Sequence, residues 1–197
     1  MKLFASFVFT LLYTVAGMQQ LVAQGKIGIN TNAPQAMLHV KDSSVLFTGE
    51  FNVTNPGNPP VSGAGTRMMW YPDKAAFRVG MVDGTQWVKD NIALHSVAMG
   101  LHTTASGIRS FAMGNRSSAV ANNSTALGSN SLASGESSTA MGSSTKASGA
   151  VSTAMGGSTT ATGSFSTAIG NFSVASGSVS IAMGISTISS GAYSTAM

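Results

Sequence analysis

The segment Ser138–Val151 reads STAMGSSTKASGAV, and its first five residues recur as Ser152–Gly156, fourteen residues further along the chain. The same spacing holds from Ser96 onward, where seven complete blocks of fourteen fill residues 96–193 and a partial eighth covers Ser194–Met197. A fixed short period is typical of stacked, nearly identical structural units. We therefore predict that this half of the chain is a solenoid in which each block forms one coil.

Several positions of the block keep their residue type from copy to copy. A disordered low-complexity segment would not keep an apolar residue at the same position of the block in eight copies, so the pattern favours a folded repeat. Position three is always alanine, at Ala98, Ala112, Ala126, Ala140, Ala154, Ala168, Ala182 and Ala196. Position four is always apolar, at Met99, Met113, Leu127, Met141, Met155, Ile169, Met183 and Met197.

Glycine recurs at positions five and twelve, seven residues apart. Fourteen residues are too few for a helix pair but suit two strands of about five residues, each closed by a turn, so these glycines are predicted to mark the two corners. Coils pairing in register at about 4.8 Å make a parallel, all-β roll, about 34 Å long for seven coils. The corner glycines are Gly100, Gly107, Gly114, Gly128, Gly135, Gly142, Gly149, Gly156, Gly163, Gly170, Gly177, Gly184 and Gly191.

Strand alternation predicts which side chains face the interior of a coil. Serine at position one and alanine at position three would point inward, because a coil two strands thick has room only for small side chains. Position four would then point outward, as an apolar stripe larger than soluble monomers usually expose. Other copies of the same chain are the simplest cover for it. Position two adds apolar Val97, Phe111 and Ile181, but it is threonine at Thr125, Thr139, Thr153 and Thr167.

The repeat S-x-A-x-G-x-x-x-x-A-x-G-x-x resembles the head of the YadA-like trimeric autotransporter adhesins, over about half of the chain. The resemblance implies a left-handed parallel β-roll, three chains packed around one axis, and position-four residues lining that axis. Residues 25–91, with GKIGINTNAP and TRMMWYPDKAAF, are similar to the leading part of exported bacterial tail-fibre-like surface proteins. Because the sequence shows no stalk heptads and stops within a repeat, we expect it to be an N-terminal fragment of a longer protein.

The remaining chain divides into two predicted segments. Residues 1–23 read as a secretory signal peptide, with Lys2 before an apolar run of about fourteen residues, which is shorter than the roughly twenty needed to span a membrane. Residues 24–91 form a predicted small β-meander ahead of the head repeats at 92–197. The strand patterns are Ile27–Ile29, Leu38–Val40, Met68–Tyr71, Phe77–Val79 and, after the hairpin signal Asp83-Gly84, Gln86–Val88.

Both tryptophans, Trp70 and Trp87, are predicted to pack the core of this small region. Its histidine His39, like His95 and His102 at the start of the repeats, has no partner residues at catalytic spacing. The chain has no cysteine, and its ten basic residues are scattered, which argues against a nucleic-acid partner. We expect no cofactor and no metal site.

The favoured function is a non-enzymatic, homotrimeric adhesin head at the surface or outer membrane of a Gram-negative bacterium, or released from it. It would attach to a surface ligand such as a matrix protein or glycan. The alternative is a monomeric threonine-rich solenoid that binds ice or a crystalline polymer; a polysaccharide-acting enzyme is disfavoured because no carboxylate cluster is present. The candidate ligand-contacting residues are Arg109, Arg116, Lys146, Phe165 and Phe172.

Overall fold

The computed structural model describes residues 26–197, which belong to two compact units divided between Phe47 and Thr48. The predicted signal peptide, residues 1–23, lies outside the described residues. Residues 26–197 are built from strands and two short 3₁₀ turns, with no α-helix, and none of their segments is a helix able to cross a membrane.

Nineteen strands account for the regular structure of the described residues. The N-terminal strands are β1 Ile27–Ile29, β2 Leu38–Val40, β3 Gly65–Tyr71 and β4 Ala76–Val82. The long strands of the repeats are β5 Val97–Leu101, β7 Phe111–Asn115, β9 Thr125–Ser129, β11 Thr139–Ser143, β13 Thr153–Gly157, β15 Thr167–Asn171, β17 Ile181–Ile185 and the partial β19 Thr195–Ala196. The short strands are β6 Thr104–Ala105, β8 Ser118–Ala119, β10 Leu132–Ala133, β12 Lys146–Ala147, β14 Thr160–Ala161, β16 Val174–Ala175 and β18 Ile188–Ser189.

Each fourteen-residue block forms one coil of a parallel β-solenoid, as predicted. Equivalent residues stack in register, so that Met141 lies opposite both Leu127 and Met155. The long strands form a ten-stranded sheet together with β3 and β4, and the short strands form a seven-stranded sheet. Only one strand per coil has the expected five residues, because positions eleven to fourteen form a turn instead of extending the second strand.

The interior of the solenoid contains only very small side chains. The alanines at positions three and ten and the serines at position one are buried in the complete coils. Position eight, a serine or threonine, is buried in most coils as well, and some of its hydroxyls bond within the stack: Thr145 Oγ1 donates to Ser131 Oγ (2.9 Å), and Ser131 Oγ donates to the Gly142 carbonyl (3.0 Å). Hydrogen bonding makes a buried hydroxyl tolerable, but it does not reach all of them. The buried hydroxyls without a partner are those of Thr103 and Thr159 at position eight and of Ser110, Ser138, Ser152 and Ser166 at position one.

Contact between coils, more than the corners, favours the glycines, although position twelve accepts Ala121 in the second coil. Position-five glycines lie inside the long strands with φ of 113–128°, and a Cβ on Gly142 would stand 2.0 Å from the carbonyl oxygen of Gly156. A Cβ on Gly149, at position twelve, would stand 2.0 Å from the Gly163 oxygen. The left-handed corner residues are those at positions seven and fourteen, such as Ser144 (φ 57°) and Val151 (φ 54°).

The segment before the repeats in the larger unit forms an N-terminal cap. Strands β3 and β4 form an antiparallel hairpin, and β4 continues the large sheet by pairing in parallel with β5. The predicted boundary between residues 91 and 92 therefore lies within one compact unit. In the smaller unit, β1 and β2 pair in parallel, with Ile27 opposite Leu38, so the predicted β-meander is wrong for these two strands.

Two local expectations for the cap also need correction. Gln86–Val88 is a turn between β4 and the 3₁₀ turn Lys89–Asn91, and this turn places the Trp87 indole N–H against the Thr103 carbonyl. Trp87 is fully buried as predicted, but Trp70 is 39% exposed. Strand alternation explains the difference, since its neighbours Met69 and Tyr71 occupy the buried face of β3.

The cap satisfies carbonyl groups that no preceding coil can reach. In the coils, the carbonyls at positions eight and ten accept backbone N–H groups from the coil before, as Thr104 N does with Ser117 O. For β6 these donors are replaced by side chains: Trp87 Nε1 donates to Thr103 O (3.0 Å), and the Arg78 guanidinium donates to Ala105 O (3.0 Å). The edge of the short-strand sheet is thereby covered, as solenoid ends require.

Arg78 is completely buried and occupies the alanine column, directly opposite Ala98. It also donates to the carbonyls of Phe77 (2.9 Å) and Ser96 (2.8 Å) and to Ser96 Oγ (2.8 Å). Burial lowers the pKa of Arg78 to about 10, so the side chain remains cationic at neutral pH. A single charged side chain thus closes the end of an otherwise neutral interior.

The contact between coils predicts the effect of adding one methyl group. Gly142→Ala should destabilise the fold by about 1–3 kcal/mol or more, because its Cβ meets the backbone of the next coil and its φ of 128° is strained for alanine. Thermal unfolding followed by circular dichroism would measure this change. Gly157→Ala is the matched control, since its Cβ meets only the side-chain oxygen of Asn171; equal melting temperatures for the two variants would contradict the account.

The cap predicts a difference between the two tryptophans. Trp87→Phe should cost about 1–3 kcal/mol, because the buried Thr103 carbonyl loses its donor, in addition to the lost packing. Trp70→Phe, at a partly exposed position, should change stability far less. Denaturant unfolding of both variants would test this, and a Trp87→Phe variant as stable as the wild type would refute the capping role.

Candidate self-association surface

The outward face of the ten-stranded sheet carries one continuous apolar column. Because the strands pair in register, the position-four residues stack directly on one another through all the coils. They are not buried by their own coil: Met113 is 42% exposed, Met155 is 37% exposed, and the others are half-buried. The residues of this apolar column are Met99, Met113, Leu127, Met141, Met155, Ile169 and Met183.

The cap lengthens the apolar column by two residues that the repeat period did not reveal. Val79 on β4 lies opposite Met99, and Met68 on β3 lies opposite Val79 and is 70% exposed. The cap does not share the fourteen-residue spacing, so only the apolar alternation within its own strands could have indicated this continuation. The column therefore runs without a break from the cap to the last complete coil.

The position-two column beside it changes character along the solenoid. At the cap end it is aromatic and aliphatic, because Trp70 lies opposite Phe77, which lies opposite Val97 and then Phe111. From Thr125 to Thr167 it is threonine in four successive coils. Threonine forms only one column of this face, because the neighbouring column, at position four of each block, is always apolar.

The outward face of the ten-stranded sheet is formed in the coils by positions two, four and six of each block. None of these residues is charged. A symmetric contact between identical chains brings equivalent residues together, and like charges there would repel. An uncharged apolar face is therefore suited to contact with copies of itself. It offers no charged group to recognise an ionic ligand.

The structure distributes the five candidate ligand-contacting residues over different surfaces. Arg109 and Phe165 occupy position-fourteen corners, and Arg116 and Phe172 occupy position-seven corners at the other end of the long strand. Lys146 lies exposed on the short strand β12. Arg109 Nε donates to Asn123 Oδ1 in the next coil (2.7 Å), whereas Phe165 is 60% and Phe172 is 58% exposed. These residues do not form one cluster.

The histidines take structural positions. His102 Nδ1 lies 2.9 Å from Asp83 Oδ1, and the His95 ring stacks on Phe51 with centroids 5.0 Å apart. The Gln86 side-chain amide, and to a smaller degree His102, holds the pKa of Asp83 below its usual range. In the smaller unit, His39 Nδ1 accepts the backbone N–H of Gln35 (3.2 Å). Residues 26–197 contain no group of three or more acidic or histidine side chains placed to hold a metal ion.

Comparison with known families connects this geometry to a described repeat. The family model for the YadA head domain repeat matches residues 93–117, 105–131, 133–150, 147–173 and 175–197, which together span just over half of the chain. The comparison with curated proteins finds no match. The matched segments are the coils of the parallel solenoid, including the stacked position-four residues, and the chain belongs to the family of YadA head domain repeats.

Proposed function

We propose that this chain is the head of a homotrimeric, non-enzymatic surface adhesin, in which three solenoids pack their apolar columns around a common axis. The observation that carries the proposal is the continuous, uncharged column of position-four residues, which no part of the larger unit, residues 48–197, covers. Heads of the YadA type are adhesin domains exposed at bacterial surfaces, which supports the same function here.

The energetics favour association through this column. Burying an apolar side chain of this size contributes about 1.5–3 kcal/mol when it is fully transferred from water, and these half-buried residues would gain part of that. The gain is repeated in every coil, while the loss of translational and rotational freedom, roughly 4–15 kcal/mol, is incurred once for each association step. A long column is therefore far more effective than a single apolar contact.

Three chains are favoured over two by the family resemblance. In a parallel trimer, each residue of the column would meet its own copies at the same height, which the absence of charge on this face permits. The interior alanines and serines would remain the core of each chain, and the corner residues would remain outside. The proposed assembly is a rod with three identical sides.

The proposed mechanism of attachment is multivalent display. A rigid trimer presents every corner residue three times, so weak individual contacts with a matrix protein or glycan add through effective concentration. We also propose that the chain is exported to the surface or outer membrane of a Gram-negative cell, or released from that cell. Catalysis has no part in it, since attachment needs only repeated surface contacts.

Sedimentation equilibrium of the purified chain tests the assembly, and we expect a mass of three chains. Met141→Asp should shift the assembly towards monomers, because three carboxylates would meet at the proposed axis and an apolar contact worth up to about 1.5–3 kcal/mol per chain would be lost. Lys146→Asp is the matched control in the same coil, since it changes an exposed residue of the other sheet. A stable wild-type monomer, or a Met141→Asp trimer as tight as the control, would contradict the proposal.

A further inference from the structure

A second apolar feature lies at one corner of the last coils. Position fourteen is Val151, Phe165, Val179 and Tyr193 in four successive blocks, and these side chains are 48%, 60%, 42% and 82% exposed. Stacked coils place them in one line about 14 Å long. We call these four residues the corner ridge.

The backbone makes this an unfavourable place for such side chains. All four residues have φ of 54–58°, and valine and aromatic residues are disfavoured in that left-handed region. The conformation is fixed by the coils, since the Val151 and Phe165 amides each donate to the coil before at 2.8 Å. The three earlier blocks place Arg109, Asn123 and Ser137 at this position, and of these asparagine is the residue type best suited to it.

Burial does not offset this strain in a single chain. Strained residues with exposed side chains are typical of positions where the side chain has a role outside the fold. The ridge thus has two independent marks of a binding surface: apolar exposure, and a backbone conformation that favours other residue types. Asn123 and Ser137, which stand on the same corner nearer the cap, share the backbone conformation (φ 56°) but are polar.

The surroundings of the ridge indicate an uncharged partner. No charged residue occurs between Lys146 and Met197, and the exposed Glu136, whose carbonyl accepts the Val151 amide, borders the ridge only at its cap end. Exposed hydroxyl groups flank the ridge instead, at Ser164 and Ser178 on position thirteen and at Thr162 and Ser176 on position eleven. Apolar rings beside hydroxyls complement a ligand that has both apolar faces and hydroxyl groups.

The shape of the ridge indicates a linear ligand. A line one side chain wide is much smaller than the roughly 800 Å² that each partner buries in a stable protein interface. Extended proline-rich peptides dock in aromatic-lined grooves, whereas this ridge is a single line at a turn. Phe165 and Tyr193 are two coils, about 10 Å, apart, a spacing comparable to alternate units of an extended sugar chain.

We propose that the corner ridge binds a neutral polysaccharide chain lying along the solenoid axis. Sugar rings would stack on Phe165 and Tyr193, the valines would support the apolar contact, and the flanking hydroxyls would exchange hydrogen bonds with the sugar. Each contact is weak and solvent-exposed. The inference rests on the proposed function in one respect, because three parallel ridges on a trimer would provide the avidity needed for firm attachment.

Retention of the chain on cellulose and chitin beads tests the proposal, with heparin beads as a charged comparison. We expect retention on at least one of the two neutral polymers, and about a tenfold or greater loss of retention for the double variant Phe165→Asn, Tyr193→Asn. Asparagine suits the left-handed conformation, so this variant should melt at the same or a higher temperature than the wild type. Ser137→Asn, at the same corner of an earlier coil, is the matched control and should bind like the wild type.

Four results would overturn the proposal: no retention on either neutral polymer, retention on heparin alone, displacement by soluble poly-L-proline, or unchanged retention of the double variant. A double variant that also dissociates into monomers would show that the ridge belongs to the contact between chains, which would overturn it too. If the chain is a trimer but is not retained on the beads, polysaccharide binding by the ridge is refuted and the proposed function stands. If the chain is a monomer that is retained through Phe165 and Tyr193, the proposed trimer is refuted and polysaccharide binding by the ridge stands.

Discussion

The narrow interior of the coil is the constraint on which the rest of the structure depends. Two strands separated by short turns leave space for alanine, serine, threonine and glycine, and the buried residues of the complete coils are of these types. Every methionine, leucine, isoleucine and phenylalanine of the repeats must therefore lie on the outside. The solenoid gains little hydrophobic stabilisation within one chain, and its outer surface is correspondingly apolar.

The same constraint explains how the solenoid begins. A coil has regular hydrogen bonds only when another coil lies on each side of it, so the first coil leaves carbonyls without donors. Arg78 and Trp87 supply those donors from side chains, and β4 supplies the neighbour for the long strand. The cap also continues the outward apolar column through Val79 and Met68, so one segment completes both the inside and the outside of the repeat.

The repeat half of the fold was predictable because a strict period fixes the register. Once Ala140 and Met141 recur every fourteen residues, strand alternation decides which of them faces the interior. The corners were less predictable: glycine at position five is required by the coil stacked on it, and the left-handed residues are non-glycine ones such as Val151, whose conformation is imposed by neighbouring coils. Such inter-coil contacts have no signature within a single block.

The cap was less accessible to sequence reasoning because it has no period. Trp70 and Trp87 look equivalent in composition, yet one lies on the outward face of β3 and the other covers the end of the short-strand sheet. The candidate surface was predictable as a column but not in its full length, since Val79 and Met68 join it only through strand pairing. Pairing between cap and repeat is a property of the folded chain.

Oxidation of the native methionines is the most direct measurement of whether sister chains cover the apolar column. Hydrogen peroxide converts exposed methionine to the sulfoxide, and mass spectrometry gives a rate for each site relative to the same site in the unfolded chain. If the column lies at a shared axis, Met113, Met141 and Met155 should oxidise at least about tenfold more slowly than Met37, which is 68% exposed. Relative rates for Met113 and Met155 that instead follow their 42% and 37% exposure in a single chain would contradict the account.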